Sequence, residues 1–296
     1  MKKRRLLIVG CGDVVRRVLP ELVLRWRVLA LVRRRDAVLT HLGVRQIVGD
    51  LDRPASLHRL SGIADAVLHS APPGDADGMP GDARTRHLLA SLRRGKSLPR
   101  RLVYIGTSGV YGDCGGAWTA ETRPLAAKSA RALRRLDAER QLRRLGHHGC
   151  CVSLLRAPGI YAADRLPLER LRSGLPSVTA EEDGFSNHIH AFDLGRACLA
   201  TLLRGRPNRA YNVADDSLMK MGEWFDLLAD RCGLPRPPRL PRAEVAARVS
   251  PLTWSFMRES RRLVNARLKD ELKFGLRYPT VGRGLEEIRM EMSCSG

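Results

Sequence analysis

The chain has 296 residues, 44% of them apolar, and a formal net charge of +21 at neutral pH. That length and apolar content suit one sizeable α/β core with a smaller lobe. No run approaches the roughly 18 uninterrupted apolar residues that a membrane span needs. Seven scattered cysteines (11, 114, 150, 151, 198, 232 and 294) without Cys-x-x-Cys spacing give neither a disulfide framework nor a zinc site.

Met1 to Arg5 are basic and precede an apolar run, as in a secretory leader. Leu6 to Val9 is too short for a leader's hydrophobic region, however, and Asp13 follows almost at once. The expectation is a first strand in a protein that stays in the cytoplasm. Apolar runs then alternate with helix-length segments, the signature of βαβ units and a parallel sheet. Strands are expected at 5–9, 27–33, 45–48, 65–71, 101–106 and 151–156, with a further pair near 187–191 and 210–213. Helices are expected at 13–24, 54–61, 82–94, 125–146 and 193–204, the first carrying Pro20 where proline should kink or shorten it. Past about residue 215 the alternation gives way to helical periods at 217–232 and 243–260, around a stiff proline-rich loop from Leu234 to Pro241. The fold class is therefore α/β: a Rossmann-type doubly wound parallel sheet over 1–215, with a small, mostly helical C-terminal lobe over 216–296.

Only seven of the 52 basic residues are lysines; the arginines run from end to end, and aromatics are 5%. A nucleic-acid binder gathers such charge on one face and interleaves aromatics that stack on bases. The dispersed pattern points away from specific nucleic-acid binding and towards salt-sensitive attraction to polyanions in general.

The first chemical signal is Gly10-Cys11-Gly12, directly after a chain-initial apolar strand and before a helix. There a Gly-x-Gly pair lets the backbone turn tightly and approach a pyrophosphate. Gly10, Gly12 and Asp13 are the expected binding residues. The full fingerprint has glycine or alanine three residues after Gly12, where this chain has Val15. The second signal is Arg33-Arg34-Arg35 after the second strand, with no acid before Asp36. An acid there selects NAD through a ribose hydroxyl, whereas arginine accommodates a 2′-phosphate, so NADP is expected on Arg33 and Arg34, with NAD the alternative.

Further segments extend the series: Gly49-Asp50-Leu51, His69-Ser70-Ala71-Pro72-Pro73, and Tyr104-Ile105-Gly106-Thr107-Ser108-Gly109-Val110-Tyr111-Gly112-Asp113. Glu121-Thr122-Arg123-Pro124, Leu155-Arg156 with Tyr161, His188-Ile189-His190-Ala191-Phe192-Asp193-Leu194, and Tyr211-Asn212-Val213 follow in order. Over residues 5–215 this resembles the extended and atypical short-chain dehydrogenase/reductases, whose relatives are the NAD-dependent epimerases and dehydratases. The resemblance implies that Asp50 and Leu51 flank the adenine and that Ala71 and Pro72 line the cofactor near the nicotinamide ribose. Thr107 stands where the family keeps the hydroxyl that bonds the substrate's reacting oxygen, and the resemblance makes about 157–186 part of the substrate cleft and 216–296 the substrate lobe.

The family's Tyr-x-x-x-Lys pair is replaced. Alignment on Ala138-Glu139 puts Arg131 at the tyrosine position and Arg135 at the lysine position. Arginine is no proton donor at neutral pH, although Arg135 could still hold ribose or phosphate. Tyr111 and Tyr161 are the remaining acids to consider. For His188 and His190 the expectation is opposite faces of a strand, hence no shared metal, and no metal site is expected elsewhere.

Three functions follow in descending order. The first is an atypical NADP-dependent oxidoreductase or epimerase-like enzyme acting on a small carbonyl or sugar-derived substrate. The second is a non-catalytic dinucleotide-binding sensor or scaffold. The third is a basic nucleic-acid-binding protein on a borrowed fold. Neither a membrane partner nor an oligomeric interface is legible.

Overall fold

Seven parallel strands form the central sheet: β1 (Arg5–Val9), β2 (Arg27–Val32), β3 (Arg45–Val48), β4 (Ala66–His69), β5 (Arg101–Thr107), β6 (Cys151–Ala157) and β7 (Arg209–Asn212). Their spatial order is β7-β6-β5-β4-β1-β2-β3. A computed structural model of the chain describes residues 3–74, 81–95 and 97–286. Met1, Lys2, Cys294 and the last ten residues of the expected lobe, 287–296, lie outside the described residues.

Chain direction and order follow from two-sided burial. Along β1, Leu6 and Ile8 join one apolar layer, and Leu7 and Val9 join the other. A strand that alternates its side chains between faces and is apolar on both must be covered by helices on both. Helices Asp13–Arg16, Leu19–Arg25, Ala191–Arg204 and Ala266–Leu272 contribute to the first layer. The turn Pro54–Leu60 and helices Ala83–Arg93 and Ala130–Gly146 contribute to the second. The doubly wound Rossmann-type fold is thus observed, with the order reversing between β1 and β4.

Several boundaries move for identifiable reasons. The expected 13–24 helix is two pieces, and Pro20 occupies the first turn of the second, where its missing N–H breaks no intrahelical bond. The expected 125–146 helix begins at Ala130, because the Ser129 side chain accepts from the Ala132 N–H and caps it. Segment 54–61 is a 3₁₀ turn, and 243–260 is two short helices broken at Ser250-Pro251. His188–His190 leaves the main sheet to pair in parallel with Gly159–Tyr161.

Val15 is buried in the first layer. Close helix approach is provided at another position: a Cβ on Gly195 would lie 2.9 Å from the Val14 carbonyl oxygen. After residue 216 the chain divides. Helix Met221–Cys232 packs with Tyr161, Leu171, Val281 and Leu285, whereas Leu268, Leu272 and Phe274 return to the first core layer. Among the described residues no helix is long and apolar enough to cross a membrane, and no cluster of three or more His, Cys, Asp or Glu could hold a metal ion.

Candidate active site

At the switch point between β1 and β4 lies a cavity of about 1030 Å³, lined from the first three strand ends and the loop after β4. In open α/β sheets this crevice is where ligands bind. Gly10 closes its floor with φ +89°, and a Cβ there would sit 2.4 Å from the Ala71 nitrogen. The Val9 carbonyl accepts from the N–H groups of Ser70 (2.8 Å) and Ala71 (3.0 Å), and the Ser70 hydroxyl donates to the Gly10 carbonyl. Gly12 lines the cavity too, and the space its Cβ would take is open.

The cavity brings together eight expected residues: Gly10, Gly12, Arg33, Arg34, Asp50, Leu51, Ala71 and Pro72. Arg33 and Arg34 are exposed and form no ion pair among the described residues. The other two expected residues, Asp13 and Arg135, are not among the lining residues. The Asp13 carboxylate is drawn to Arg17 (2.7 Å) and Arg165 (2.9 Å), and its pKa falls because these ion pairs outweigh partial burial. Arg16, Asp36 and Arg84 line the cavity without having been singled out in the sequence. Arg84 holds Asp52 through two contacts (2.8 and 2.6 Å) and donates to the Pro72 carbonyl (3.1 Å), tying the loops after β3 and β4 together.

The register of helix Ala130–Gly146 is fixed by a buried ion pair, Arg156 to Glu139, at 2.8 and 3.0 Å with both side chains at most 2% exposed. One turn back, Arg135 donates to the Ile105 carbonyl (2.8 Å) and the Tyr104 hydroxyl (3.2 Å). Burial pushes the Tyr104 phenol up to about 12 despite that cation. Another turn back, the Arg131 guanidinium lies 3.7 Å from the ring centroid of Phe256 in helix Pro251–Met257, and the Arg131 Nε has no hydrogen bond among the described residues. Burial lowers the pKa of Arg131.

Thr107 ends β5, and its Oγ1 accepts from the Gly109 N–H (3.1 Å), which leaves its own O–H to donate. Tyr111 is fully buried: its hydroxyl donates to Asn212 Oδ1 (2.7 Å) and accepts from Arg156 (2.8 Å). Burial raises its pKa. Tyr161 is also buried, with the His188 and His190 rings edge-on at 6.3 and 5.3 Å. The two histidines therefore share a face, as residues two apart on a strand must, which corrects the expected opposition.

Near Tyr161, Asp215 is 5% exposed; one oxygen accepts from the Ser217 N–H (3.0 Å) and the other has no hydrogen bond among the described residues. Burial pushes its carboxyl from 3.8 up to about 7. A raised folded-state pKa stabilises below the unfolded value, and that stability is lost as pH climbs through about 4 to 7. Asp215→Asn should therefore stabilise the fold by on the order of 2–4 kcal/mol at about pH 8 and by almost nothing at about pH 4. Urea unfolding at the two pH values checks this, and equal effects at both would contradict it.

The sequence model of the NAD dependent epimerase/dehydratase family matches residues 11–214. None of the curated proteins matches the chain significantly. Among solved structures the chain is similar to a functionally unknown conserved protein from Silicibacter pomeroyi, with 27% identity, TM-score 0.77, and coverage of 98% of this chain and 99% of that one. It is similar to MoeE5, solved with UDP-glucose and NAD, at 20% identity and TM-score 0.75, covering 99% and 100%. It is also similar to the human epimerase family protein SDR39U1 (isoform 2), solved with NADPH, at 16% identity and TM-score 0.76, covering 97% and 99%. At those identities the last two likenesses concern the fold.

Proposed function

Since the chain belongs to the NAD dependent epimerase/dehydratase family, we propose that its switch-point cavity binds NADP(H). The observation that carries this reading is the lining: Gly10 locked against Ala71, open space at Gly12, and two exposed arginines after β2 that form no ion pair among the described residues. Similar folds solved with NAD and with NADPH support the ligand class. Gly10 and Gly12 would admit the pyrophosphate, Asp50 and Leu51 would flank the adenine, and Ala71 and Pro72 would lie along the nicotinamide ribose. Arg33 and Arg34 would face the 2′-phosphate as charge-assisted donors. Replacing both by alanine should weaken NADPH binding by about 10- to 100-fold while leaving NADH within about threefold. Calorimetric titration of both nucleotides reads that difference, and equal losses would contradict it.

When bound, NADP(H) supplies hydride-transfer chemistry. The Thr107 hydroxyl, its lone pair held by Gly109, would donate to a substrate oxygen. Arginine is no proton donor at neutral pH, so Arg131 and Arg135 would orient or neutralise negative charge. The leading use of the site is atypical oxidoreductase or epimerase-like chemistry on a small carbonyl or sugar-derived substrate, with the lobe after residue 216 covering the cleft. The stacking of Arg131 on Phe256 favours a second use, as a non-catalytic sensor or scaffold, because it places lobe packing at the family's tyrosine position. NADPH turnover on a panel of carbonyls and sugar nucleotides separates them. Turnover falling at least about tenfold in Thr107→Ala supports the enzyme, and tight NADPH binding without turnover supports the sensor. Absence of NADPH binding would overturn both.

A further inference from the structure

Arg16 and Asp36, twenty residues apart, meet at the wall of the cavity beside Arg33 and Arg34, and both line it. Asp36 is the first carboxylate after β2. From that region an acid selects NAD by accepting from a ribose hydroxyl. Here both oxygens are already engaged. Oδ1 accepts from the N–H groups of Val38 (2.9 Å) and Leu39 (3.4 Å), capping helix Ala37–His41, and Oδ2 accepts from the Arg16 guanidinium. The Asp36 main chain is fixed as well: its N–H donates to Gln46 Oε1 (2.8 Å), and its carbonyl accepts from Gln46 Nε2 (2.7 Å).

Arg16 is anchored at its other side, where Nε donates to the Cys11 carbonyl (3.1 Å) between the two glycines of the turn. One side chain thus ties the Gly10–Gly12 turn to the loop that distinguishes the two coenzymes. We infer that Arg16 is a positioning residue for coenzyme choice: by holding Asp36 it withholds an acceptor from the ribose hydroxyls of NAD(H). It also offsets a negative charge that would repel a 2′-phosphate beside Arg33 and Arg34. This rests on the reading that the cavity binds a nicotinamide dinucleotide.

The test uses the full chain and the dissociation constants of NADPH and NADH, measured by calorimetry at about 0.15 M salt. Arg16→Gln should tighten NADH about tenfold and weaken NADPH about tenfold, because the freed Oδ2 gains one ligand contact and repels the other. Arg16→Lys should restore part of the original preference. In the Arg16→Gln background, Asp36→Asn should return NADH to its wild-type affinity. Asp36→Asn alone keeps a capping oxygen and should leave the preference for NADPH intact. A loss of folding would weaken both nucleotides together and could not move their ratio. NADH affinity that is unchanged or weaker in Arg16→Gln would overturn the inference, and so would an Asp36→Asn chain that turns towards NADH. Wild-type protein that binds neither nucleotide would refute the cofactor reading itself, and the inference with it.

Discussion

Gly10→Ala is expected to weaken NADPH binding at least about 100-fold and to lower stability by about 3 kcal/mol. Two costs add. The φ of +89° is left-handed backbone that an L side chain rarely adopts, and the new methyl would meet the Ala71 nitrogen at 2.4 Å. Ala71 cannot step back without losing its hydrogen bond to Val9, which joins β1 to the loop after β4. Relief must come from moving the turn itself, and that turn lines the cavity. Gly43 is the internal control: its φ is +74°, yet nothing lies within 4 Å of its Cβ position. Gly43→Ala should cost only the backbone term, about 1–2 kcal/mol, and leave NADPH affinity unchanged. Titration and thermal unfolding of the two variants side by side check this, and similar binding losses in both would contradict it.

Arg156→Met should destabilise the chain by about 3–5 kcal/mol without touching the cavity, because it leaves Glu139 buried and unpaired. The same guanidinium donates to the Tyr111 hydroxyl and to the Glu121 carbonyl, so three acceptors lose their donor at once. Removing the second charge as well, in Arg156→Met with Glu139→Leu, should recover most of the loss, since a buried pair often does little better than packed apolar side chains. Urea unfolding of the two singles and the double closes the cycle. A double variant no better than Arg156→Met would show that the pair acts through its neighbours and not through its charge. Arg135 lies one helical turn from Glu139 and Arg131 two, so this pair also sets where those two arginines fall.

The sheet was legible because β1, β2, β5 and β6 are apolar on both faces and separated by helix-length segments, a pattern that only a covered parallel sheet accommodates. The Gly10 turn was legible for a related reason: two glycines directly after a chain-initial strand have few other uses. What the sequence could not give was the destination of long charged side chains. Asp13 looks like part of the turn, yet Arg17 and Arg165 draw it away, and Arg165 is 152 residues distant. Arg16 is one arginine among many, and only its contacts with Cys11 and Asp36 set it apart. Tyr111 sits in a segment that reads as catalytic, but Asn212 and Arg156 converge on its hydroxyl from other strands. Local rules did decide the helix limits. Pro20 needed the first turn of a new helix, and Ser129 took the capping position that shortened the next long one.

Binding is the claim on which the others depend, and a chain of charge +21 attracts any polyanion at low ionic strength. The decisive measurement is therefore a calorimetric titration of NADPH and NADH into the wild-type chain at about 0.15 M and again at about 0.5 M salt. One saturable site per chain is expected at both salts, with NADPH bound more tightly than NADH. Heats that vanish at the higher salt, or saturation with NADH tighter than NADPH, would contradict it.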